Sequence, residues 1–204
     1  MINIDNLNRG IEIFKGRINW PRDFHNGFYK LLSEKFNEYF LGIQEPELYL
    51  RYIVDNLAIW KALRGRHGFT KQFLMTKLIE ENDLLMGFIT VLRNRNLSID
   101  IANYEDIQNI FNFAKGLKRA ESPVFASKFC HFLFPNLFVV VDNELSQART
   151  DYRTYWEFCK QSWSLCPNKE ILKEILNEEI QNNLIPNYPY SCKIAELCYI
   201  GKGN

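Results

Sequence analysis

Apolar residues recur along this chain at steps of three and four over most of its length, and that period restricts the fold more than any other feature. Between Gln44 and Leu63 it is carried by Leu48, Tyr49, Tyr52, Ile53, Leu57, Ile59, Trp60 and Leu63, with Pro46 suited to a first helical turn. The same rhythm runs through Phe24 to Phe40, Phe73 to Leu92, Ile107 to Leu117, Tyr152 to Trp163, Lys169 to Ile180 and Tyr190 to Ile200. Breakers fall between these stretches: Asn19 to Pro21, Gly42, Gly65 with Gly68, Asn94 to Asn96, Pro135, Cys166-Pro167 and Pro186 to Pro189. The period predicts an all-α fold, with no internal repeat. At 204 residues, 47% of them hydrophobic, the chain can bury a core without disulfide or metal staples. The reading is one multi-helix domain over 1–204, with room for two helical lobes about a cleft.

Charge and cysteine usage narrow the classes further. Lys and Arg number 25 against 24 Asp and Glu, so the chain is neither a polycation nor an acidic tail, and bulk charge does not select its partner. No apolar stretch reaches the roughly 18 residues of a membrane span, and Met1 to Asn6 lacks a basic flank and an apolar signal core. The expectation is a cytoplasmic monomer without membrane association. Cys130, Cys159, Cys166, Cys192 and Cys198 form an odd set with no C-x-x-C pair, which reads as reduced core cysteines. His25, His67 and His131 lie far apart, without the spacing of a metal site. Glycine-rich phosphate loops are absent too, so neither metal nor cofactor is expected.

One segment leaves the helical period. Ser122-Pro123, a good N-cap followed by a first-turn proline, opens a short helix that runs to Phe134. Then Pro135-Asn136-Leu137-Phe138-Val139-Val140-Val141 reads as a buried extended connector ending on Asp142, too short and too isolated for a sheet. Asp142 reads either as the N-cap of the next helix or as a carboxylate facing a ligand cleft. In the second role it suits an oxocarbenium-like transition state, as in cleavage of the bond between a base and its sugar.

The run Ser127-Lys128-Phe129-Cys130-His131-Phe132-Leu133-Phe134-Pro135, followed by Leu137-Phe138-Val139-Val140-Val141-Asp142, resembles the catalytic segment of the helix-hairpin-helix DNA glycosylase superfamily. The nearest resemblance is to the 8-oxoguanine glycosylase branch and its divergent bacterial relatives. Lys193 to Lys202 is similar to the final core helix of some divergent members. The resemblance covers roughly a quarter of the chain. It implies that Asp142 stabilises the sugar cation or activates water on a base flipped out of duplex DNA, and that Lys128 is the candidate nucleophile. Two differences stand out. Gly116-Leu117-Lys118-Arg119-Ala120-Glu121-Ser122-Pro123 lacks the paired glycines of the family hairpin, and Lys128 lies only 14 residues before Asp142, closer than the family spacing. The other reading of Lys128 is a solvated lysine on a helix face.

The chain's remaining polar clusters fit the same function. Arg64, Arg66 and Lys71 lie in an acid-free stretch around Gly65 and Gly68, and together with Lys115, Lys118 and Arg119 they are the candidate DNA-phosphate contacts. Trp20, Asp23, His25 and Asn26 share one loop and supply a stacking ring and hydrogen-bonding edges for a base pocket. His131, among phenylalanines, reads as a satisfied buried histidine, and Trp60, Trp156 and Trp163 read as core. The implied function is base excision of a damaged or modified base from DNA, with removal of modified phage bases as one role. The alternative is a non-catalytic nucleic-acid or protein-binding module on the same scaffold.

Overall fold

The structure, a computed structural model, describes residues 2–16, 26–63, 69–118, 121–141, 151–180 and 188–203. These residues form helices and connections, with no strand among them. In chain order they are α1 (Ile4–Lys15), α2 (Asn26–Phe40), α3 (Pro46–Ile59), α4 (Lys71–Glu80) and α5 (Asn82–Asn94), then α6 (Tyr104–Gly116), α7 (Pro123–Leu133), α8 (Tyr152–Ser164), α9 (Lys169–Glu179) and α10 (Tyr190–Gly201). The all-α expectation holds.

Local chemistry sets the helix starts. Asn3, Thr70, Ser122 and Asp151 each accept the amide of the residue three positions on, at 2.8, 3.1, 3.2 and 3.1 Å. Asn103 and Asp106 form a reciprocal capping box on α6. Asp151 is thus the cap of α8; Asp142, read from the sequence as a cap of the next helix, lies outside the described residues. A second correction concerns Phe73 to Leu92, read as one helix and in fact two, α4 and α5, meeting at Glu81. The apolar register passes through the break, from Leu74 and Leu78 to Leu85, Ile89 and Leu92, so period alone joins them. The turn falls in the polar run Glu80 to Asp83 and puts Asp83 in the first turn of α5, where the helix dipole favours a carboxylate. The helix α1 was not among the segments read from the sequence, although Leu7, Ile11 and Phe14 form its buried stripe.

Two helices are buried nearly all round. Every residue of α7 from Phe125 to Leu133 is buried, as is every residue of α10 from Ser191 to Cys198. The buried apolar side chains form one contiguous cluster that includes Trp156, Trp163 and all five cysteines, which are free thiols. Along one side of α10 lies α1, at a distance only glycine permits. A Cβ on Gly10 would fall 2.0 Å from the Leu197 carbonyl oxygen, and one on Gly201 would fall 1.9 Å from that of Asn6.

The connector after α7, read as extended throughout, opens with a turn over Pro135 to Leu137, and from Phe138 to Val141 it belongs to neither helix nor strand. Side chains take the place of a sheet. The carbonyls of Leu137, Val139 and Val140 accept from Trp156 Nε1, Tyr152 Oη and Tyr155 Oη of α8, at 2.8, 3.0 and 3.1 Å. That of Phe138 meets His131 Nδ1 of α7 at 2.7 Å. This answers where a buried, unladdered backbone sends its polar groups.

Candidate catalytic centre

Lys128 sits at the middle of α7 and is only 8% exposed. Its ammonium nitrogen donates to the carbonyl oxygen of Trp60, 2.9 Å away at the end of α3. The reading of Lys128 as a solvated surface lysine is therefore overturned: α7 has no solvated face at this position, because its neighbours on all sides are core. One residue earlier, Ser127 accepts the Val141 amide at 3.0 Å, and its hydroxyl donates to the Val124 carbonyl at 3.1 Å. The connector thus runs back along α7, and its end at Val141 is fastened to the turn that carries Lys128. Asp142 follows Val141 by one peptide bond but lies outside the described residues.

A second charged pair lies beside the first lysine. Lys193 and Glu196, one turn apart on α10, are 1% and 3% exposed and form an ion pair of 2.9 Å. The Lys193 ammonium also stands 5.0 Å from the centre of the Trp60 ring. Trp60 therefore meets one lysine at its carbonyl and another at its indole. Behind it, His131 is fully buried. Its Nδ1 faces a carbonyl, which only accepts, so Nδ1 carries the proton and Nε2 accepts from Tyr29 Oη at 2.9 Å. Burial, and then the charge of Lys193, push the imidazole down to about 3, so it stays neutral. Tyr188 packs edge-on to Tyr29 with ring centres 5.2 Å apart, and among the described residues its buried hydroxyl has no hydrogen-bond partner. Burial, followed by the Glu196 carboxylate, raises the Tyr188 phenol well above its ordinary value.

The candidate DNA contacts divide. Lys71 is paired with Asp55 of α3 at 2.7 Å, and Lys115 with Glu121 at 2.6 Å. Lys118 lies 5.3 Å over the Phe69 ring, and its partial burial lowers its pKa. Lys77, from α4, donates to the Gly116 carbonyl at 2.8 Å. The structure thus gathers Lys77, Lys115 and Lys118 where the end of α6 meets α4, ahead of the start of α7, while Lys71 turns to α3. Arg64, Arg66 and Arg119 lie outside the described residues, as do Trp20, Asp23, His25 and the side chain of Asn26.

Lys193 and Glu196 were not read from the sequence as a site. The signal was there: they stand among Ile194, Ala195, Leu197, Cys198 and Ile200, so this helix has no polar face for them to occupy. Among the described residues no group of three His, Cys, Asp or Glu is placed to hold a metal ion. No described helix is long and apolar enough to cross a membrane. Compared with protein families, curated proteins and solved structures, the chain matches none.

Proposed function

We propose that the chain excises a damaged or modified base from DNA, with Lys128 as nucleophile and Asp142 as the carboxylate that stabilises the sugar cation. The observation that carries this reading is the Ser127–Val141 hydrogen bond, 3.0 Å, which ties the residue preceding Asp142 to the turn of α7 bearing a buried lysine. A lysine held out of water at a backbone carbonyl is preorganised, and a nearby carboxylate favours charge developing on the sugar. Lys128, once its ammonium has given a proton to solvent, attacks C1′ as the bond from C1′ to the base nitrogen breaks, and a proton of the new C1′-bound amine passes to the departing base. Loss of an amine proton and ring opening give an imine at C1′. Removal of a C2′ proton then breaks the C3′–O bond, cutting the strand on that side. Lys77, Lys115 and Lys118 supply the phosphate-facing edge.

A second reading, a non-catalytic binding module on the same scaffold, draws on the aromatic filling of the centre by Tyr29, Trp60 and Tyr188, all buried. The two part in one experiment. DNA carrying oxidised purines and glycosylated cytosines is incubated with wild type and Asp142→Asn, and free base is measured by mass spectrometry. Release by wild type and its loss in the variant is the expected result. DNA binding that survives the substitution, with no base released by either protein, would select the binding module.

A further inference from the structure

At the C-terminal end of α7, beyond Lys128, lies a pocket of about 330 Å³ that the base-excision reading does not use. Three separate stretches wall it: α2, the end of α5 with the turn after it, and the turn that closes α7. Among its described lining residues the one that is charged is Arg93, in the last turn of α5. The guanidinium is stacked 4.0 Å from the Phe40 ring centre and 5.5 Å from that of Phe36. Among the described residues its buried Nη1 has no hydrogen-bond partner, and no carboxylate lines the pocket. Arg93 lines the pocket with no carboxylate in that lining to compete for it, so an anion that enters meets a guanidinium already held in place by two rings.

The rest of the lining says what else that ligand carries. Asn37, Asn96 and Asn136 each bring a carboxamide, with a donor and an acceptor on the same small group. Phe36 and Phe134, packed edge to face at 5.5 Å, bring aromatic surface. The wall is fixed rather than loose: the Ile99 amide donates to the Asn136 carbonyl at 3.0 Å, tying the chain after α5 to the turn after α7. Asn96 holds a left-handed backbone with φ 46°, a conformation asparagine tolerates better than other side-chain-bearing residues.

The geometry points to a second binding site, for a nucleotide: its phosphate on Arg93, its base between the phenylalanine surface and the carboxamides. A guanidinium fork matches phosphate oxygens, and carboxamides match the mixed donor and acceptor edge of a base. The volume lies at the small end of ligand pockets, suited to one nucleotide unit and not to a dinucleotide cofactor. The nucleotide is either free or part of a strand. The site stands independently of catalysis at Lys128.

The test is calorimetric titration of the full chain with deoxynucleoside monophosphates, with inorganic phosphate and with a short single-stranded oligonucleotide, repeated with Arg93→Gln and Asn37→Ala. Asn37 is exposed on α2, so its replacement leaves the fold intact. A monophosphate that binds at least about tenfold more tightly than inorganic phosphate, and loses at least about tenfold in Arg93→Gln, is the expected result for a free nucleotide. Binding of the oligonucleotide alone, with the same dependence on Arg93, assigns the site to a strand. In either case Asn37→Ala weakens binding by a smaller factor. Equal affinity for phosphate and monophosphate overturns the inference. So does affinity unchanged in Arg93→Gln, or no binding by a wild type shown folded by circular dichroism.

Discussion

The two sides of α10 make opposite uses of burial. Toward α1 the helix offers glycine and bare backbone, with Gly201 against the Asn6 carbonyl and Gly10 against that of Leu197, a seam of close approach between the two helices. Toward Trp60 the same helix buries a lysine and a glutamate. Close apolar packing is stabilising in itself, whereas a buried ion pair seldom stabilises more than apolar residues of the same volume. The seam is therefore explained by folding alone, and the charged side asks for a further reason. The base-excision reading supplies one: a second cation, neutralised by Glu196, keeps the field around Lys128 and Trp60 defined.

The contrast is broken most severely at the charged side. Lys193→Ala takes the ammonium away from buried Glu196 and is expected to cost about 3 to 5 kcal/mol, while Lys193→Met combined with Glu196→Leu recovers most of that loss. Urea midpoints of the three proteins check it, and a double variant no more stable than the single one would refute it. On the seam, Gly201→Ala forces α1 and α10 apart. The gain in helix propensity offsets only part of the strain, leaving a loss of about 2 kcal/mol by the same assay.

Protonation gives a third handle. Unfolded, an imidazole takes up its proton near pH 6.5, but in the fold His131 resists down to about 3. Between those values the unfolded chain binds the extra proton, so stability is full above 6.5 and falls as the pH drops, by about 1.4 kcal/mol per unit. From pH 6.5 to 5, ahead of most carboxylate titration, the decline is about 2 kcal/mol. His131→Asn, whatever its own stability, flattens the profile in that window; an unchanged slope would contradict the assignment. The smallest effect is expected at Tyr188. Its hydroxyl is buried without a partner among the described residues, so Tyr188→Phe leaves the unfolding free energy from urea titration within about 0.5 kcal/mol of wild type.

The seam and the centre were not equally legible in the sequence. The apolar period gave most of the helices, because the buried stripe of an amphipathic helix is written in the spacing of its residues. It passed over the break at Glu81, where the register continues although the helix does not. The connector was recognised as buried and non-helical from its valines, but neither its opening turn over Pro135 to Leu137 nor the partners of its carbonyls were. Trp156, Tyr152 and Tyr155 look like ordinary core residues until α8 is laid beside the connector. Lys128 was singled out by resemblance to a motif; its burial is a property of α7 having neighbours on every side. The glycine seam and the Arg93 pocket join stretches distant in the chain, and no local pattern announces them.

The claim that matters most is that the Lys128 amine reacts at the sugar. Its most direct test bypasses the identity of the base: duplex DNA bearing an abasic site, whose aldehyde any such lysine would condense with, is incubated with wild type and borohydride, and the crosslinked peptide is mapped. A reduced adduct on Lys128 that disappears in Lys128→Gln is the result this account expects. No adduct, or one carried by Lys193 instead, would contradict it.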